Sequence, residues 1–321
     1  MNMITPTTSS ITLTEKMQHI LARAGLRRSR FRVRPGLYSL GNPNSKSHVF
    51  VTANYGLSFD TLRRALSNID CYILVLDTKG INVWCAAGKG TFGTEELIHR
   101  IGEVKLKDYV ARKILILPQL GASGIAAHEV ERRTGFKVEY GPVRASDIPQ
   151  YLQNHTTPNM RRVSFNFKDR SILIPVELTH MFLPTIILMA LLYFLSGPVP
   201  ALAALLVVIA GLLVFPLLIP WIPTPNFSTK GFLLGSIVAA PLFLLAFLSF
   251  PSAIWWKKLG LAVPYLLIVP SLVAFITLNY TGATPFTSKS GVKREIFAYF
   301  PIMFWMFLAG VFIGTLFRFI G

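Results

Sequence analysis

The fold of this chain is decided by residues 72–93, which read YILVLDTKGINVWCAAGKGTFG. The apolar run Tyr72–Thr78 is typical of a buried strand. The stretch that follows, Gly80–Gly93, is rich in small residues, and Asn82 is suited to cap a short helix there. Cys85 would then lie in the first turn of that helix, one turn before Lys89. This strand–loop–helix unit predicts an α/β domain that carries chemistry at the end of a strand.

Strand and helix signals alternate on both sides of this unit, which predicts a mainly parallel, Rossmann-like sheet covered by helices. The predicted strands are His48–Asn54, Tyr72–Thr78, Lys113–Leu117 and Phe136–Tyr140, and the alternating segment Arg161–Arg170 is predicted as one more. The predicted helices are Ser58–Asn68, Thr94–Val104, Ser123–Thr134 and Asp147–Gln153, with Ser58 and Thr94 as N-caps. Ligands of such sheets bind beyond the carboxyl ends of the strands. The loop Pro118–Gly124 lies at that edge and suits an anion or a large planar ligand, although ordinary turn chemistry explains it as well.

The composition of the chain changes near residue 177. Residues 1–177 hold 25 of the 32 Lys and Arg residues and 14 of the 15 Asp and Glu residues, and they are numerous enough to form a soluble core. Residues 178–321 contain five apolar runs without Asp, Glu, Lys or Arg, each long enough to cross ~30 Å of hydrocarbon. The runs are 178–195, 199–222, 231–250, 259–278 and 297–317. We therefore expect an α/β domain at 1–177 and an all-α transmembrane domain of five helices at 178–321.

Charge and targeting signals predict the location of the first domain. Residues 1–21 lack the apolar core of a signal peptide, and the loop before the last run carries Lys289, Lys293 and Arg294. Because positively charged loops favour the cytoplasmic side, we expect a multi-pass protein of the inner (cytoplasmic) membrane with its N-terminal domain in the cytoplasm. No ionisable residue lies deep in any run, which favours an anchor over a transporter.

Arginines are concentrated between residues 23 and 34. Attraction to anionic membrane lipid and docking of an acidic partner both explain this concentration. No nucleic acid is expected as a partner, because a single aromatic residue, Phe31, is interleaved with the arginines. The arginines are Arg23, Arg27, Arg28, Arg30, Arg32 and Arg34.

Three interpretations of the segment around Cys85 can be compared. A phosphate-binding loop is excluded, since Val83 replaces its first glycine and Gly90 its Ser or Thr. A structural core thiol suits Cys71, which adjoins the predicted strand, better than it suits Cys85 among small residues. A metal-ligating thiolate is favoured by the first-turn N–H groups and by Lys89. One thiolate with no His or Cys nearby is too little for zinc, and two cysteines cannot hold an iron–sulfur cluster, so a macrocycle would have to hold such a metal. The residues alone leave the core thiol and the macrocycle ligand open.

The motif NVWCAAGK at Asn82–Lys89 resembles the cap helix of the HgcA family, the membrane-anchored corrinoid proteins of microbial mercury methylation, which are related to the corrinoid iron–sulfur proteins. The five-helix tail is similar as well, so the resemblance spans nearly the whole chain. Another known corrinoid motif, Asp-x-His-x-x-Gly, is absent, because Leu97 stands where Asp is required before His99. Further similar stretches lie at 35–38, 51–55, 74–78, 117–122 and 140–144.

The resemblance implies a corrinoid cofactor, a cobamide of the vitamin B12 type, whose cobalt takes Cys85 as its lower axial ligand. It implies a corrinoid-dependent methyltransferase that transfers a methyl group from methyl-Co(III) cobamide to Hg(II), giving methylmercury. The cap helix over the corrin would comprise Asn82, Val83, Trp84, Cys85, Ala86, Ala87, Gly88 and Lys89, although core packing explains Trp84 as well. Further candidates for corrin contact, chosen by their position at the sheet edge, are Thr52, Asn54, Thr91, Gly93 and Gly121.

The resemblance also implies partners. The methyl donor would be linked to methyltetrahydrofolate. Electrons and Hg(II) would come from a ferredoxin-like 4Fe–4S protein, HgcB, since this chain has no cluster-binding cysteines and no cysteine pair to hold mercury. Two alternatives stay open: a membrane-bound corrinoid methyl carrier of one-carbon metabolism with another acceptor, and a non-catalytic membrane scaffold whose α/β domain binds a partner.

Overall fold

A computed structural model describes residues 4–26, 30–154, 157–284 and 288–320. The chain divides into two compact units, Met1–Ser164 and Phe165–Gly321. The domain boundary predicted after residue 177 falls inside the first long apolar helix of the second unit. Two arginines of the predicted basic stretch, Arg27 and Arg28, lie outside the described residues.

The first unit is built on a six-stranded sheet of order β1-β2-β4-β3-β5-β6. Strand β2 runs antiparallel to β4, and the other neighbouring pairs are parallel. The strands are β1 (Ile4–Thr7), β2 (Gly36–Leu40), β3 (His48–Ala53), β4 (Cys71–Leu76), β5 (Ile114–Leu117) and β6 (Lys137–Tyr140). The four strands predicted between residues 48 and 140 are therefore confirmed as β3 to β6, and the α/β class is confirmed. Strands β1 and β2, which the sequence analysis missed, make the sheet mixed.

Helices cover both faces of the sheet. They are α1 (Leu13–Arg23), α2 (Gly56–Ala65), α3 (Val83–Lys89), α4 (Thr94–Glu103), α5 (Ala127–Thr134) and α6 (Ile148–Asn154). The prediction of Ser58 and Thr94 as N-caps is wrong. The N-cap of α2 is Tyr55 and that of α4 is Gly93, and neither makes a side-chain cap hydrogen bond. The Thr94 hydroxyl instead accepts a hydrogen bond from the Ala126 N–H at 2.9 Å.

Successive strand residues point to opposite faces, so the sheet separates two cores. On one face, Val49, Val51 and Ala53 of β3 join Val83 and Ala86 of α3 in a core that α4 and α5 complete. The other face carries α2 and α6, whose buried residues pack with alternate residues of β3 and β4, and that core includes Cys71. Helix α3 therefore belongs to one face of the sheet and lies just beyond the carboxyl end of β4.

The prediction of a strand at Arg161–Arg170 is wrong. Residues Pro158–Arg161 form a 3-10 turn, and α7 (Phe167–Ser171) begins soon after it. The Asn166 side chain accepts a hydrogen bond from the Asp169 N–H at 3.1 Å, and the Asp169 carboxylate accepts one from the Asn166 N–H at 3.3 Å. This reciprocal capping box stabilises a helix start where polar–apolar alternation had indicated a strand.

Among the described residues of the second unit, five helical segments are long and apolar enough to cross a membrane, as predicted. The segments are Phe167–Ser196, Pro198–Leu218, Phe227–Leu248, Trp255–Gly282 and Ser290–Phe319. Their helices are α8 (Ile174–Ser196), α9 (Pro198–Val208), α10 (Phe215–Leu218), α11 (Phe227–Leu248), α12 (Trp255–Leu278) and α13 (Lys289–Phe319), with a π-helical stretch, Ile209–Val214, between α9 and α10. Pro216 follows that stretch and cannot donate a helical hydrogen bond, which is a known cause of local rewinding.

Small residues bring these helices close together. A Cβ on Gly231 would lie 2.5 Å from the Ala274 Cα, and a Cβ on Gly235 would lie 2.6 Å from the Pro270 Cα. A Cβ on Gly310 would lie 2.6 Å from a side-chain carbon of Ile268. The glycine spacing therefore lets α11 and α13 approach α12 at distances that larger residues would prevent.

Two charged residues, Lys230 of α11 and Glu295 of α13, are buried near the starts of their helices. The Lys230 ammonium donates to the carbonyls of Ile219, at 3.0 Å, and Ile222. The Glu295 carboxylate accepts from both the N–H and the hydroxyl of Ser228, at 2.6 and 2.8 Å. Both charged side chains thus form hydrogen bonds with backbone groups near helix ends, and these bonds agree with a structural role for Lys230 and Glu295.

Candidate cofactor site

Asn54 organises the loop that leads from β4 into α3. Its side chain is buried, and its oxygen accepts hydrogen bonds from the N–H groups of Thr78 and Gly80 at 3.0 and 2.9 Å, and from the Thr78 hydroxyl at 2.9 Å. Its amide nitrogen donates to the Asp77 carboxylate at 2.9 Å. Asn54 was predicted to contact a ligand at the sheet edge, and in the structure its side chain binds this loop.

Helix α3 begins where this loop ends, and Asn82 caps it as the sequence predicted. The Asn82 side chain accepts a hydrogen bond from the Cys85 N–H at 2.9 Å. At the other end, Gly90 adopts a positive φ of 81° as the C-cap, which a residue with a side chain rarely does. The seven-residue helix is thus defined at both ends by local signals in its own sequence.

The two sides of α3 differ. Val83, Ala86 and Ala87 are buried in the core below, whereas Trp84, Cys85, Gly88 and Lys89 are exposed. Trp84 is 38% exposed, so packing explains only part of its surface. A Cβ on Gly88 would meet nothing within 4 Å, so the surface one turn from Cys85 is open. The helix therefore presents one thiol on a face that a broad, flat ligand can approach.

The glycine-bearing loop Pro118–Gly124, which follows β5, packs against α3 and the segment after it. A Cβ on Gly124 would lie 2.2 Å from the Phe92 carbonyl oxygen and 3.0 Å from the Ala87 Cα. A Cβ on Gly121 would lie 2.5 Å from the Phe92 ring. Of the predicted edge residues, Gly121 therefore packs against the segment that follows α3. Gly93 is also constrained, because its Cβ would lie 2.6 Å from the Gly90 carbonyl oxygen.

The remaining predicted edge residues have different positions. Thr91 follows α3, and its N–H donates to the Ala86 carbonyl at 3.0 Å, which places it at the C-terminal end of the helix. Thr52 is buried, and strand alternation directs it with Phe50 toward the α2 face, away from α3. The structure thus brings Thr91, Gly93 and Gly121 to α3 and leaves Thr52 on the other face.

Gln119 is a residue of this site that the sequence analysis did not single out. It lies in the turn Gln119–Gly121, which contacts α3. Its side-chain oxygen is buried without a hydrogen-bond partner among the described residues. Such an orphaned acceptor is costly unless a ligand or a water supplies a donor. The signal in the sequence was its position in the loop at the sheet edge.

The two thiols of the chain have opposite environments. Cys71 opens β4 at its amino end and is fully buried, and Cys85 is exposed beyond the carboxyl end of that strand. Burial, with a smaller contribution from Asp70, raises the pKa of the Cys71 thiol to about 12. Cys71 is therefore a core thiol, as predicted, and Cys85 is the thiol available to a ligand.

The donor set limits the kind of metal that could bind at Cys85. Within residues 4–26, 30–154, 157–284 and 288–320, no group of three or more His, Cys, Asp or Glu side chains could hold a metal ion. A metal bound to Cys85 would therefore take most of its ligands from outside the protein. An exposed thiol beside an open glycine fits a metal in a macrocycle, and the turn that contacts α3 holds the orphaned Gln119 oxygen.

Comparison with known proteins agrees with this geometry. Residues 14–152 match the family model CdhD, described as CO dehydrogenase/acetyl-CoA synthase delta subunit. The chain is 34% identical over 123 residues to the acetyl-CoA decarbonylase/synthase complex subunit gamma of Methanopyrus kandleri, a match covering 38% of this chain and 26% of that protein. It is 30% identical over 162 residues to the corrinoid/iron–sulfur protein large subunit of Moorella thermoacetica, a match covering 47% of this chain and 36% of that protein.

We call residues 14–152, where the chain is similar to the CdhD family, the CdhD-family domain. The CdhD-family domain includes the whole of α3 and the loop that supports it, and it ends before the long apolar helices begin. The chain spans about a quarter of the length of the first of these relatives and about a third of the second. It therefore combines a CdhD-family domain with five helices that the family match does not include.

Proposed function

We propose that this chain is a membrane-anchored corrinoid methyltransferase in which Cys85 is the cobalt ligand and Hg(II) is the methyl acceptor. The observation that carries the proposal is the exposed Cys85 thiol on the capped helix α3 of a CdhD-family domain. The name of one relative, a corrinoid/iron–sulfur protein, supports a corrinoid as the ligand. The resemblance of Asn82–Lys89 to the HgcA cap helix supports mercury as the acceptor.

Each of several residues in or next to α3 would have a different role in binding the cofactor. Cys85 supplies the sulfur ligand, and Gly88 leaves room for the ring to lie against the helix. Asn82 holds the Cys85 backbone in the first turn through its 2.9 Å hydrogen bond. The buried residues Ala86 and Ala87 fix the helix on the sheet. When bound, the cobamide supplies a cobalt-carried methyl group that can pass to an electrophile.

The choice of a thiolate bears on the acceptor. A thiolate is a stronger electron donor than an imidazole or an amide, so Cys85 would increase the electron density that cobalt shares with the methyl group. Such a donor would suit a soft, electrophilic methyl acceptor such as Hg(II). The sulfur of Cys85 is the chain's only exposed thiol, because Cys71 is buried.

The proposal requires partners for the steps that this chain is not equipped to perform. The full sequence has two cysteines, too few to hold an iron–sulfur cluster. A ferredoxin-like 4Fe–4S protein such as HgcB would therefore reduce the cobalt and deliver Hg(II), and a methyltetrahydrofolate-linked donor would supply the methyl group. The long apolar helices would anchor the protein in the inner membrane, with the CdhD-family domain in the cytoplasm.

A second candidate function is a corrinoid methyl carrier of one-carbon metabolism with another acceptor. The names of the relatives, which include subunits of acetyl-CoA decarbonylase/synthase complexes, favour this alternative. Both functions need Cys85 as the cobalt ligand, and they differ only in the acceptor.

A methylation assay with purified, cobamide-loaded chain tests the acceptor. The cobalt would first be reduced by a ferredoxin, the chain would then be charged with a labelled methyl group, and it would be incubated with or without Hg(II). Label should appear as methylmercury with wild type and with Cys71→Ser, and it should be absent with Cys85→Ala. Retention of the label on the loaded protein in the presence of Hg(II) would reject the mercury function and favour the second candidate.

A further inference from the structure

Helix α1 turns its polar side toward the protein. The His19 imidazole lies 2.7 Å from the Asp60 carboxylate, and the Arg63 guanidinium lies 2.6 Å from the Glu15 carboxylate, so a hydrogen bond and an ion pair join α1 to α2. Ala22, on the same side of α1, is 1% exposed. This arrangement is the reverse of an ordinary surface helix, which buries its apolar stripe and exposes its polar side.

The outward side of α1 is apolar. Leu13, Met17 and Ile20 are 83, 58 and 62% exposed, and their spacing of four and three residues places them in one stripe. The exposed cations Lys16 and Arg23 lie along one edge of that stripe. A stripe of large apolar side chains in water is unfavourable, so its presence points to a surface that covers it.

We propose that the Leu13–Met17–Ile20 stripe docks on the anionic bilayer that the chain's own apolar helices span. An interfacial helix has this composition, with large apolar side chains entering the lipid and Lys or Arg near the headgroups. The surplus of basic residues in residues 1–177 adds attraction to anionic lipid. The connection to membrane helices raises the effective concentration of α1 at the bilayer, so a single short helix is sufficient.

This inference rests on membrane insertion of the helices and is independent of cobalt, the cofactor and the acceptor. The contacts with Asp60 and Arg63 would transmit the position of α1 to α2 and thereby to the sheet. Membrane docking of α1 would thus hold the CdhD-family domain in a restricted orientation at the lipid surface. A protein partner that covers the same stripe is the competing occupant.

The test uses the full chain in lipid nanodiscs that contain anionic and zwitterionic lipid, without cobamide and without partner proteins. The background is Cys85→Ala, because Cys71 is buried and will not react with label. A bimane fluorophore is attached to Met17→Cys, or, as the control, to His99→Cys in α4, whose side chain is 66% exposed. Lipids that carry a quenching nitroxide report contact with the bilayer, and aqueous iodide reports contact with water.

The proposal predicts that nitroxide lipid lowers the fluorescence at position 17 at least about two-fold and leaves position 99 nearly unchanged, since an interfacial helix buries its apolar face below the headgroups. The pair of substitutions Lys16→Gln and Arg23→Gln should reduce this quenching, as should nanodiscs of zwitterionic lipid alone. Quenching at position 17 by iodide and not by nitroxide lipid would overturn the proposal in favour of a protein partner. Equal quenching in anionic and zwitterionic nanodiscs would overturn the role assigned to anionic lipid.

Discussion

The side-chain oxygen of Asn82 accepts a hydrogen bond of 2.9 Å from the backbone N–H of Cys85. This bond ties the start of α3 to the residue that carries the exposed thiol. Because the two residues are three apart, the motif itself fixes the position of the Cys85 backbone relative to the loop that precedes α3. The position of the candidate ligand therefore depends on a local cap as well as on the core beneath it.

Replacement of the cap should weaken cofactor binding. Asn82→Ala removes the acceptor for the Cys85 N–H, which costs a helix about 1 kcal/mol. We expect faster hydrogen exchange at the Cys85 amide and an affinity for cobamide lower by about five-fold, since 1.4 kcal/mol is a factor of ten. Asn82→Ser, which keeps a cap acceptor, is the control and should stay within about two-fold of wild type. An equal loss of cobamide affinity in Asn82→Ala and Asn82→Ser would mean that the cap hydrogen bond is not what supports binding.

The two thiols should react at very different rates. With iodoacetamide at pH 8, Cys85 should be alkylated readily and Cys71 hardly at all, because Cys71 is buried and its pKa is raised to about 12. Mass spectrometry should find one modified thiol in wild type and in Cys71→Ser, and none in Cys85→Ala.

The raised pKa of Cys71 also predicts a dependence of stability on pH. The pKa of the thiol is 9.0 in the unfolded chain and about 12 in the folded protein. The contribution of the buried neutral thiol to the free energy of unfolding is therefore fully present below pH 9. That contribution is lost as the pH rises from 9 toward 12. Wild type should lose stability over this range relative to Cys71→Ser, as measured by the midpoint of chemical unfolding in detergent. Parallel curves for the two proteins would contradict the burial of this thiol.

Gly88 should matter for ligand access rather than for folding. Its Cβ would meet nothing within 4 Å, so Gly88→Leu should fold and should even favour the helix by up to about 1 kcal/mol. The new side chain would occupy the open face beside Cys85, and we expect loss of cobamide binding in a titration followed by visible absorbance. Gly102→Leu is the matched control, because Gly102 is also helical and open. Tight binding by Gly88→Leu would exclude this face as the docking surface.

Asn54 should act on the site through the loop it holds. Asn54→Asp keeps an acceptor for Thr78 and Gly80 but loses the donor to Asp77 and places two carboxylates together. A disrupted buried hydrogen bond of this kind costs about 1–3 kcal/mol. Hydrogen exchange in residues 77–83 should rise, with little change in Asn44→Asp, whose exposed side chain caps only a surface turn. Unchanged exchange in Asn54→Asp would argue against this role.

The sequence predicted the elements that local signals define. Strand β4 is a continuous apolar run, and α3 starts at a good N-cap and ends at a glycine, so both were predictable from their own residues. The alternation at Arg161–Arg170 was misleading, because the capping box of Asn166 and Asp169 stabilises a helix that the alternation did not indicate.

Other features depend on contacts between distant residues. The apolar stripe of α1 faces outward, and its polar side contacts Asp60 and Arg63 of α2, so the pattern of the helix carries no sign of what it packs against. Thr52 lies at the predicted sheet edge, yet strand alternation places it on the face opposite α3. The bonds from Asn54 to Thr78 and Gly80 join residues more than twenty positions apart, which no local pattern reveals.

X-ray absorption at the cobalt edge tests the central claim most directly. The chain would be loaded with cobamide as wild type, Cys85→Ala and Cys71→Ser, and the scattering shell around cobalt would be fitted for sulfur. The account predicts one sulfur neighbour in wild type and in Cys71→Ser, and none in Cys85→Ala, where nitrogen or oxygen replaces it. Bound cobamide without a sulfur neighbour in wild type would contradict the assignment of Cys85 as the cobalt ligand.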